Sequence, residues 1–241
     1  MGWRPPAMAT MPGTMWPLWP AVPERRSQRL RQLAAPQRAA CLAHPFVRGI
    51  ASGSLPAAVF ARWVVQDWHY LQTYLQVLGT LARTAPCAHA RQRWGQMAVL
   101  TRDEELDLHR SFAQRFDIAP AQLAGAAVWP GTLAYSAFQV EQVNRSYGRG
   151  VAALVPCGVG YVTLARALAA ESAPADDRYA DWIRMYSDPA FAQAVDWMES
   201  ELDRVDEEED ALAVVYRNGV TWELRFWEHL WQGIPDEFNR G

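Results

Sequence analysis

The chain of 241 residues contains little cysteine and no long uncharged apolar run. Its three cysteines are an odd number and form no CxxC pair, so the simplest interpretation is a reduced, cytoplasmic protein. No stretch of 18 apolar residues without a charge occurs, and we therefore expect no membrane-spanning helix. The net charge of −3 argues against a partner that needs a basic surface, such as a nucleic acid or an anionic membrane.

Common catalytic and metal-binding motifs are also missing. The sequence has neither an HExxH motif nor a phosphate-binding P-loop, and it lacks the repeated Glu-x-x-His pattern of di-iron bundles. Glu105 and His109 stand four residues apart and could in principle share a metal ion. Without a second such pair, we interpret them as surface residues or as supports for another functional residue. No metal or other cofactor is expected.

Composition and length predict one globular domain with two short extensions. Apolar residues make up 50% of the chain and charged residues 20%, and a single core is feasible at this size. Residues 1–24 are rich in proline, tryptophan and methionine and lack the apolar segment of a signal peptide, so we interpret them as a disordered leader. The domain is expected over residues 25–235, followed by a tail at 236–241.

The periodicity of apolar residues is helical throughout that domain. Seven helical segments are predicted, at residues 56–83, 88–115, 131–147, 150–172, 177–187, 189–206 and 209–232, separated by proline, glycine and serine breaks. No segment alternates with period two, so the predicted class is all-α with roughly seven to nine helices. The acidic run over residues 199–210 is interpreted as a solvated helix end and connector.

One segment of this pattern carries the chemistry of greatest interest, Leu-Val-Pro-Cys-Gly-Val-Gly-Tyr over residues 154–161. Cys157 and Tyr161 stand four residues apart and share one helix face, while Pro156 removes a backbone N–H just before the thiol. A lone cysteine is usually a small packed core residue. The other interpretation of Cys157 is a reactive thiol, and polar groups elsewhere in the chain favour this interpretation.

Those polar groups lie on several predicted helices. Asp67 and Tyr70 are three residues apart on a strongly apolar helix, where a carboxylate is costly unless it is paired or used. Glu223 and Phe226 repeat the arrangement near the C-terminus. Two further tyrosines flanked by apolar residues stand on other helices, Tyr135 and Tyr186. Together these side chains could line one pocket with a thiol, two carboxylates and several phenols.

In this combination the chain resembles the TenA/thiaminase-II family over residues 27–232. The resemblance runs in order through seven short motifs: His44-Pro45-Phe46-Val47, Gln66-Asp67-x-x-Tyr70-Leu71, Glu105-Leu106-Asp107-Leu108-His109, Ala134-Tyr135-Ser136, Pro156-Cys157-x-x-x-Tyr161, Trp182-Ile183-x-x-Tyr186 and Glu223-x-x-Phe226-Trp227. Each motif is weak alone, whereas all seven in order are a strong signal. The resemblance implies the haem-oxygenase-like helical fold without haem.

The resemblance also implies a role for each residue. Cys157 matches the family's nucleophile, Tyr161 the tyrosine that hydrogen-bonds the thiol, and Asp67 the carboxylate that binds the aminopyrimidine. Glu223 matches the acid/base carboxylate. The remaining matches are pocket aromatics: Tyr70, Tyr135, Tyr186 and Phe226. Gly158 and Gly160 depart from the bulky residues usual after the cysteine and leave room for a larger pocket or a close helix.

The implied activity is that of a cysteine-dependent hydrolase of thiamin salvage. Its substrate would be 4-amino-5-aminomethyl-2-methylpyrimidine, with thiamin cleaved as well, and its product 4-amino-5-hydroxymethyl-2-methylpyrimidine. The alternative is a non-catalytic pyrimidine-binding or regulatory protein on the same scaffold. The resemblance further implies a homotetramer, and the 12 tryptophans suit such contacts.

Overall fold

A computed structural model describes residues 24–171 and 173–233. These residues form twelve α-helices: α1 (Arg26–Leu33), α2 (Ala35–Ala43), α3 (Pro45–Ser52), α4 (Ala57–Thr84), α5 (Ala88–Leu100), α6 (Leu106–Arg115), α7 (Pro120–Gly125), α8 (Pro130–Arg145), α9 (Tyr147–Ala169), α10 (Asp177–Ser187), α11 (Pro189–Leu202) and α12 (Glu209–Gln232). No strand occurs within them, which confirms the all-α prediction. The predicted tail, and the leader up to residue 23, lie outside the described residues.

Helix α9 is the centre of the fold. It packs against α8, α10, α11 and α12, and most of its side chains are buried. Among the described helices it alone is long and apolar enough to cross a membrane by composition, but 78% of its apolar window is buried inside the protein. An apolar helix surrounded by other helices is a core helix. This position places Cys157 in the interior.

The proline in α9 is accommodated without ending the helix. Pro156 lies inside the continuous helix, although proline removes a backbone donor there. Its ring packs against Gly219 of α12, where a Cβ atom would stand only 2.9 Å from the Pro156 Cγ. The missing side chain at Gly219 therefore lets α12 approach α9 at the turn that precedes the thiol.

The segment predicted as one helix over residues 88–115 is divided in the structure. A π-helical segment, Thr101–Glu105, separates α5 from α6. Isolated π-helical turns inside helices occur frequently at functional sites. Here the segment ends at Glu105, whose side chain lies in the wall of the main cavity.

The acidic run near the C-terminus is only partly solvated, so the prediction of a solvated connector is wrong for its first half. Glu199 and Glu201 are buried. Arg31 of α1 binds Glu199, and the Tyr147 hydroxyl donates to Glu201 over 2.7 Å. Arg29 similarly binds Glu209 at the start of α12. The acids thus join the first described helix to the last two.

Candidate active site

A cavity of about 560 Å³ opens between α4, the π-helical segment, α9, α10 and α11. Four of the eight predicted site residues line it: Asp67, Tyr70, Cys157 and Tyr161. The other four lie behind this wall, namely Tyr135, Tyr186, Glu223 and Phe226. The structure therefore brings all eight predicted residues to one region, half of them in the cavity wall and half as their supports.

The thiol of Cys157 is buried and lies between acidic and phenolic groups. Burial raises its pKa well above the ordinary value, and the neighbouring Glu223 raises it further. The Tyr70 hydroxyl hydrogen-bonds toward the sulfur and lowers the pKa, while Asp67 and Glu105 act in the raising direction. The thiol is consequently protonated in the free protein, and a base must remove its proton before it can act as a nucleophile.

Glu223 is the carboxylate best placed to be that base. Burial raises its pKa to about 7, against hydrogen bonding from Tyr135 and the charge of Arg38, which lower it. The Tyr135 hydroxyl donates to its Oε1 atom, and Cys157 also contributes a hydrogen bond that lowers the pKa. A carboxyl group that titrates near neutrality can both accept and return a proton.

Arg38 of α2 is a neighbour of this carboxylate that was not predicted from the sequence. Its Nη2 atom donates to the backbone oxygen of Pro156 over 2.9 Å. A Cβ atom at Gly160 would stand 2.8 Å from Nη1 of Arg38 and 3.1 Å from Oε2 of Glu223. The missing side chain at Gly160 therefore leaves space that the Arg38 guanidinium and the Glu223 carboxylate both border.

Asp67 of α4 lies in the cavity wall and has two hydrogen-bond partners. Its Oδ2 atom is 2.8 Å from Nε2 of His109, and the Tyr161 hydroxyl donates to Oδ1 over 3.2 Å. The indole N–H of Trp63 donates to the same hydroxyl over 3.3 Å. In this structure the Tyr161 hydroxyl thus hydrogen-bonds the Asp67 carboxylate, and Tyr70 is the phenol that lowers the pKa of the thiol.

His109 is fully buried, so the surface role considered for it is wrong and the supporting role is the one it has. Its Nδ1 atom is 2.9 Å from the backbone oxygen of Glu105, an atom that can only accept a hydrogen bond. Burial lowers the pKa of His109, but the hydrogen bond to Asp67 and the Asp67 charge outweigh it, so the pKa is raised. His109 therefore supports Asp67 as its imidazolium partner.

Tyrosine and phenylalanine rings pack around Tyr70 of the cavity wall. Tyr70 and Tyr135 are stacked with ring centroids 4.9 Å apart, and Phe226 lies 6.3 Å from Tyr70. Gln139 donates to the Tyr70 hydroxyl over 2.7 Å and fixes its orientation. A flat heteroaromatic ring is the natural ligand for a wall of this kind.

Glu105 is the third buried carboxyl group of the site, after Asp67 and Glu223, and it lies in the cavity wall. The Tyr186 hydroxyl donates to its Oε1 atom over 3.2 Å. Burial raises the pKa of Glu105 to about 7, and the charge of Asp67 adds to this effect. The spacing of Glu105 and His109 was visible in the sequence, but the π-helical segment that directs Glu105 into the cavity has no sequence signal.

The rest of the cavity lining combines apolar side chains with four more charged ones, those of Glu104, Asp181, Arg184 and Asp188. Its outer walls come from α5 and α11 and include Met97, Leu100, Phe191, Val195 and Met198. Gly158 also lines it, and a Cβ atom there would stand 2.9 Å from Val195 Cγ2. Gly158 therefore both widens the cavity and lets α11 approach α9.

Within the described residues, no group of three or more His, Cys, Asp or Glu side chains has the arrangement of a metal site. Asp67 and His109 bind each other, and Glu105 binds Tyr186. The buried polar groups of the site are the thiol of Cys157, the carboxyl groups of Asp67, Glu105 and Glu223, and several phenols.

Several named relatives are similar to this chain over most of its length. An aminopyrimidine aminohydrolase of Halalkalibacterium halodurans is 29% identical over 194 residues, covering 77% of this chain and 86% of the relative. Those of Bacillus subtilis and Helicobacter pylori are 29% and 27% identical and cover 83% and 86% of this chain, and 87% and 98% of their own lengths.

Solved structures show the same fold. A TenA homologue from P. horikoshii superposes with a TM-score of 0.83 at 21% identity, covering 88% of this chain and all of its own. A domain from Shewanella denitrificans described as having a heme oxygenase-like fold gives 0.67 at 11% identity, covering 88% and 94%. The predicted haem-oxygenase-like architecture is thereby confirmed. The model of the TENA/THI-4/PQQC family matches residues 31–233, most of the chain, which therefore belongs to that family.

Proposed function

We propose that this protein is an aminopyrimidine aminohydrolase of thiamin salvage. It would hydrolyse 4-amino-5-aminomethyl-2-methylpyrimidine to the hydroxymethyl compound and ammonia, and it would also cleave thiamin. Three relatives that cover most of the chain carry the name of this activity. The observation that carries the proposal is the placement of a buried thiol beside a carboxyl group of pKa about 7, in a cavity wall that Asp67 shares.

Asp67 would bind the pyrimidine through its exocyclic amino group. The carboxylate already accepts hydrogen bonds from His109 and Tyr161, which fix its orientation. A hydrogen bond from an amino group to an ionised carboxylate is among the stronger kinds. Tyr70 would contact the face of the pyrimidine, and the rings packed against it, Tyr135 and Phe226, would hold it in place.

Cys157 would act as the nucleophile and Glu223 as its acid and base. Glu223 takes the thiol proton, the sulfur adds to ring carbon C6, and Glu223 then protonates a ring nitrogen. The electron-rich ring expels the amine from the exocyclic methylene, and water adds to that carbon. The added water loses one proton to the released ammonia. Glu223 then takes back the proton of the ring nitrogen and returns it to the sulfur, which leaves and restores the aromatic ring. No preformed thiolate is needed, in keeping with the raised pKa of the thiol.

The test is to incubate the purified protein with the aminomethylpyrimidine and with thiamin, without added metal, and to follow the products by mass spectrometry. Appearance of the hydroxymethylpyrimidine from either compound is the expected result. Tight binding of the hydroxymethylpyrimidine without turnover would instead support the non-catalytic pyrimidine-binding protein. If the protein shows neither turnover nor binding of these compounds, both proposed functions are rejected.

We also propose that the protein assembles as a homotetramer with each site built from one chain. All eight site residues come from helices of a single chain and meet without a partner's contribution. Large apolar side chains remain exposed outside the site, including Leu33, Leu133 and Trp231, and such residues suit subunit contacts.

A further inference from the structure

We propose that Glu105 binds the leaving amine of the substrate as an ammonium ion and thereby favours substrates that release an amine. This inference rests on the proposed function and adds a residue to it. It assigns to the third cavity carboxylate a role that differs from those of Asp67 and Glu223.

The partners of the three carboxylates distinguish their roles. Asp67 is held by His109 and Tyr161, and Glu223 by Tyr135 with Cys157 beside it. Glu105 receives one phenol hydrogen bond, and no arginine of the described residues forms an ion pair with it. Of these three buried carboxylates it is therefore the one with most capacity left for a ligand cation, whereas Glu104, its neighbour in the cavity lining, is exposed to solvent.

The position of Glu105 suits the exocyclic group of the pyrimidine better than the ring. Glu105 is at the C-terminal end of the π-helical segment and lies in the same cavity wall as Leu108 and Thr101. From there the cavity continues outward to the apolar walls of α5 and α11. With the ring between Asp67 and Cys157, a substituent that points away from the ring would extend toward Glu105.

The chemistry of the leaving step requires a partner of this kind. When the C–N bond breaks, its electron pair stays on nitrogen, so the amine departs as neutral ammonia only if it carries three protons beforehand. An alkylammonium ion exists in water at neutral pH but is costly to bury alone. An ionised carboxylate in the cavity keeps the third proton on nitrogen until the bond breaks.

Thiamin makes a different demand on the same site. Its leaving nitrogen belongs to a thiazolium ring, has no N–H, and becomes neutral when it takes the bond pair. Such a group needs neither a proton nor a hydrogen-bond acceptor. Removing the Glu105 carboxylate should therefore impair release of an amine much more than release of a thiazole.

The raised pKa of Glu105 is compatible with this role. Burial and then Asp67 raise it to about 7, whereas His109, Tyr186 and Thr101 act to lower it. An ammonium ion bound beside the carboxyl group adds a positive charge, which favours the ionised form. The carboxylate would thus be formed as the substrate binds.

The experiment compares Glu105→Gln with the wild type on both substrates. We expect kcat/KM for the aminomethylpyrimidine to fall about thirtyfold or more, because hydrogen bonds between charged groups are the strong class, and kcat/KM for thiamin to fall less than about fivefold. Asp103→Asn is the matched control. It removes an exposed carboxylate from the same π-helical segment, outside the cavity, and should leave both values unchanged.

Equal losses on the two substrates, or no loss on either, would overturn the inference. Thiamin cleavage by the variant also shows that it folds. Tyr186→Phe, which removes only the hydroxyl that donates to Glu105, is a second variant and should reduce amine release in the same direction.

A binding measurement separates this inference from the proposed function. In the Cys157→Ser background, calorimetry compares the aminomethylpyrimidine with the neutral hydroxymethylpyrimidine, which has nearly the same shape. The first should bind more tightly, and Glu105→Gln should abolish that preference. A preference that survives the substitution refutes the role of Glu105 even if the protein proves to be only a pyrimidine binder. If the protein turns over neither substrate but its preference for the aminomethylpyrimidine depends on Glu105, the proposed enzymatic activity is refuted and the ammonium site is supported.

Discussion

The Oδ2 atom of Asp67 lies 2.8 Å from Nε2 of His109, and both side chains are buried. Nδ1 of His109 faces a backbone oxygen, which can only accept a hydrogen bond, so Nδ1 carries a proton. A second proton lies between Nε2 and the Asp67 carboxylate. The imidazolium offsets the cost of a buried carboxylate on an apolar helix face. The pair thus keeps a negative charge available at the point where a pyrimidine amino group would bind.

Replacing that charge should weaken ligand binding. We expect Asp67→Asn to reduce the affinity for the hydroxymethylpyrimidine by about 1.5–3 kcal/mol, the range for a hydrogen bond to a charged group. Isothermal calorimetry measures the change. An unchanged affinity in a folded variant would show that the carboxylate is structural.

The His109 partner should make stability depend on pH. The folded-state pKa of His109 is raised, so its stabilising contribution is fully present below the unfolded value of about 6.5 and is lost as the pH rises through the folded value. The difference in free energy of unfolding between the wild type and His109→Gln should therefore be larger at pH 6 than at pH 9. Urea unfolding at both values tests this, and His89→Gln, on the exposed start of α5, is the control.

The thiol should be essential. Cys157→Ser should remove nearly all turnover, because a serine hydroxyl in this site is a much weaker nucleophile. Cys87→Ser and Cys41→Ser should be mild, since neither of these cysteines lines the cavity. Steady-state kinetics measure the effect. More than a tenth of the wild-type kcat remaining in Cys157→Ser would reject covalent catalysis.

Gly160→Ala should alter the pH profile. In the wild type the charge of Arg38 lowers the pKa of Glu223. The new Cβ atom would displace the Arg38 guanidinium, and the pKa of Glu223 should therefore rise above about 7. Turnover that requires ionised Glu223 should then begin at a higher pH. Gly95→Ala, in α5 with no atom within 4 Å of the new methyl group, should keep the wild-type profile. Coincident profiles for the wild type and Gly160→Ala would contradict the role of Arg38.

Assembly has a separate test. Light scattering should give the mass of a tetramer at micromolar concentration, and a fully active monomer would refute the assembly. Mixed tetramers of Cys157→Ser and Glu223→Gln chains should stay inactive, because each site takes both residues from one chain. Substantial activity in the mixture would show that sites are shared between subunits.

The sequence predicted the long helices well because apolar spacing identifies a helix face directly. It likewise placed Cys157 and Tyr161 on one face of α9. It could not show that the Tyr161 hydroxyl turns to Asp67, because that choice depends on how α4 packs against α9. Arg38 was missed for a related reason: its contact with α9 joins residues 118 positions apart and has no local pattern. The π-helical turn at Thr101–Glu105 contains no glycine or proline to mark it.

The central place of α9 has a consequence for synthesis of the protein. The helix leaves the ribosome before α12, which covers one of its sides, has been made. Until then the nascent chain exposes an apolar surface on a helix whose composition would suit a lipid bilayer. Transiently exposed surfaces of this kind promote aggregation. Chains that stop before residue 209 should therefore be insoluble or bound by chaperones. Formation of α12 covers this side of α9 and completes the packing around it.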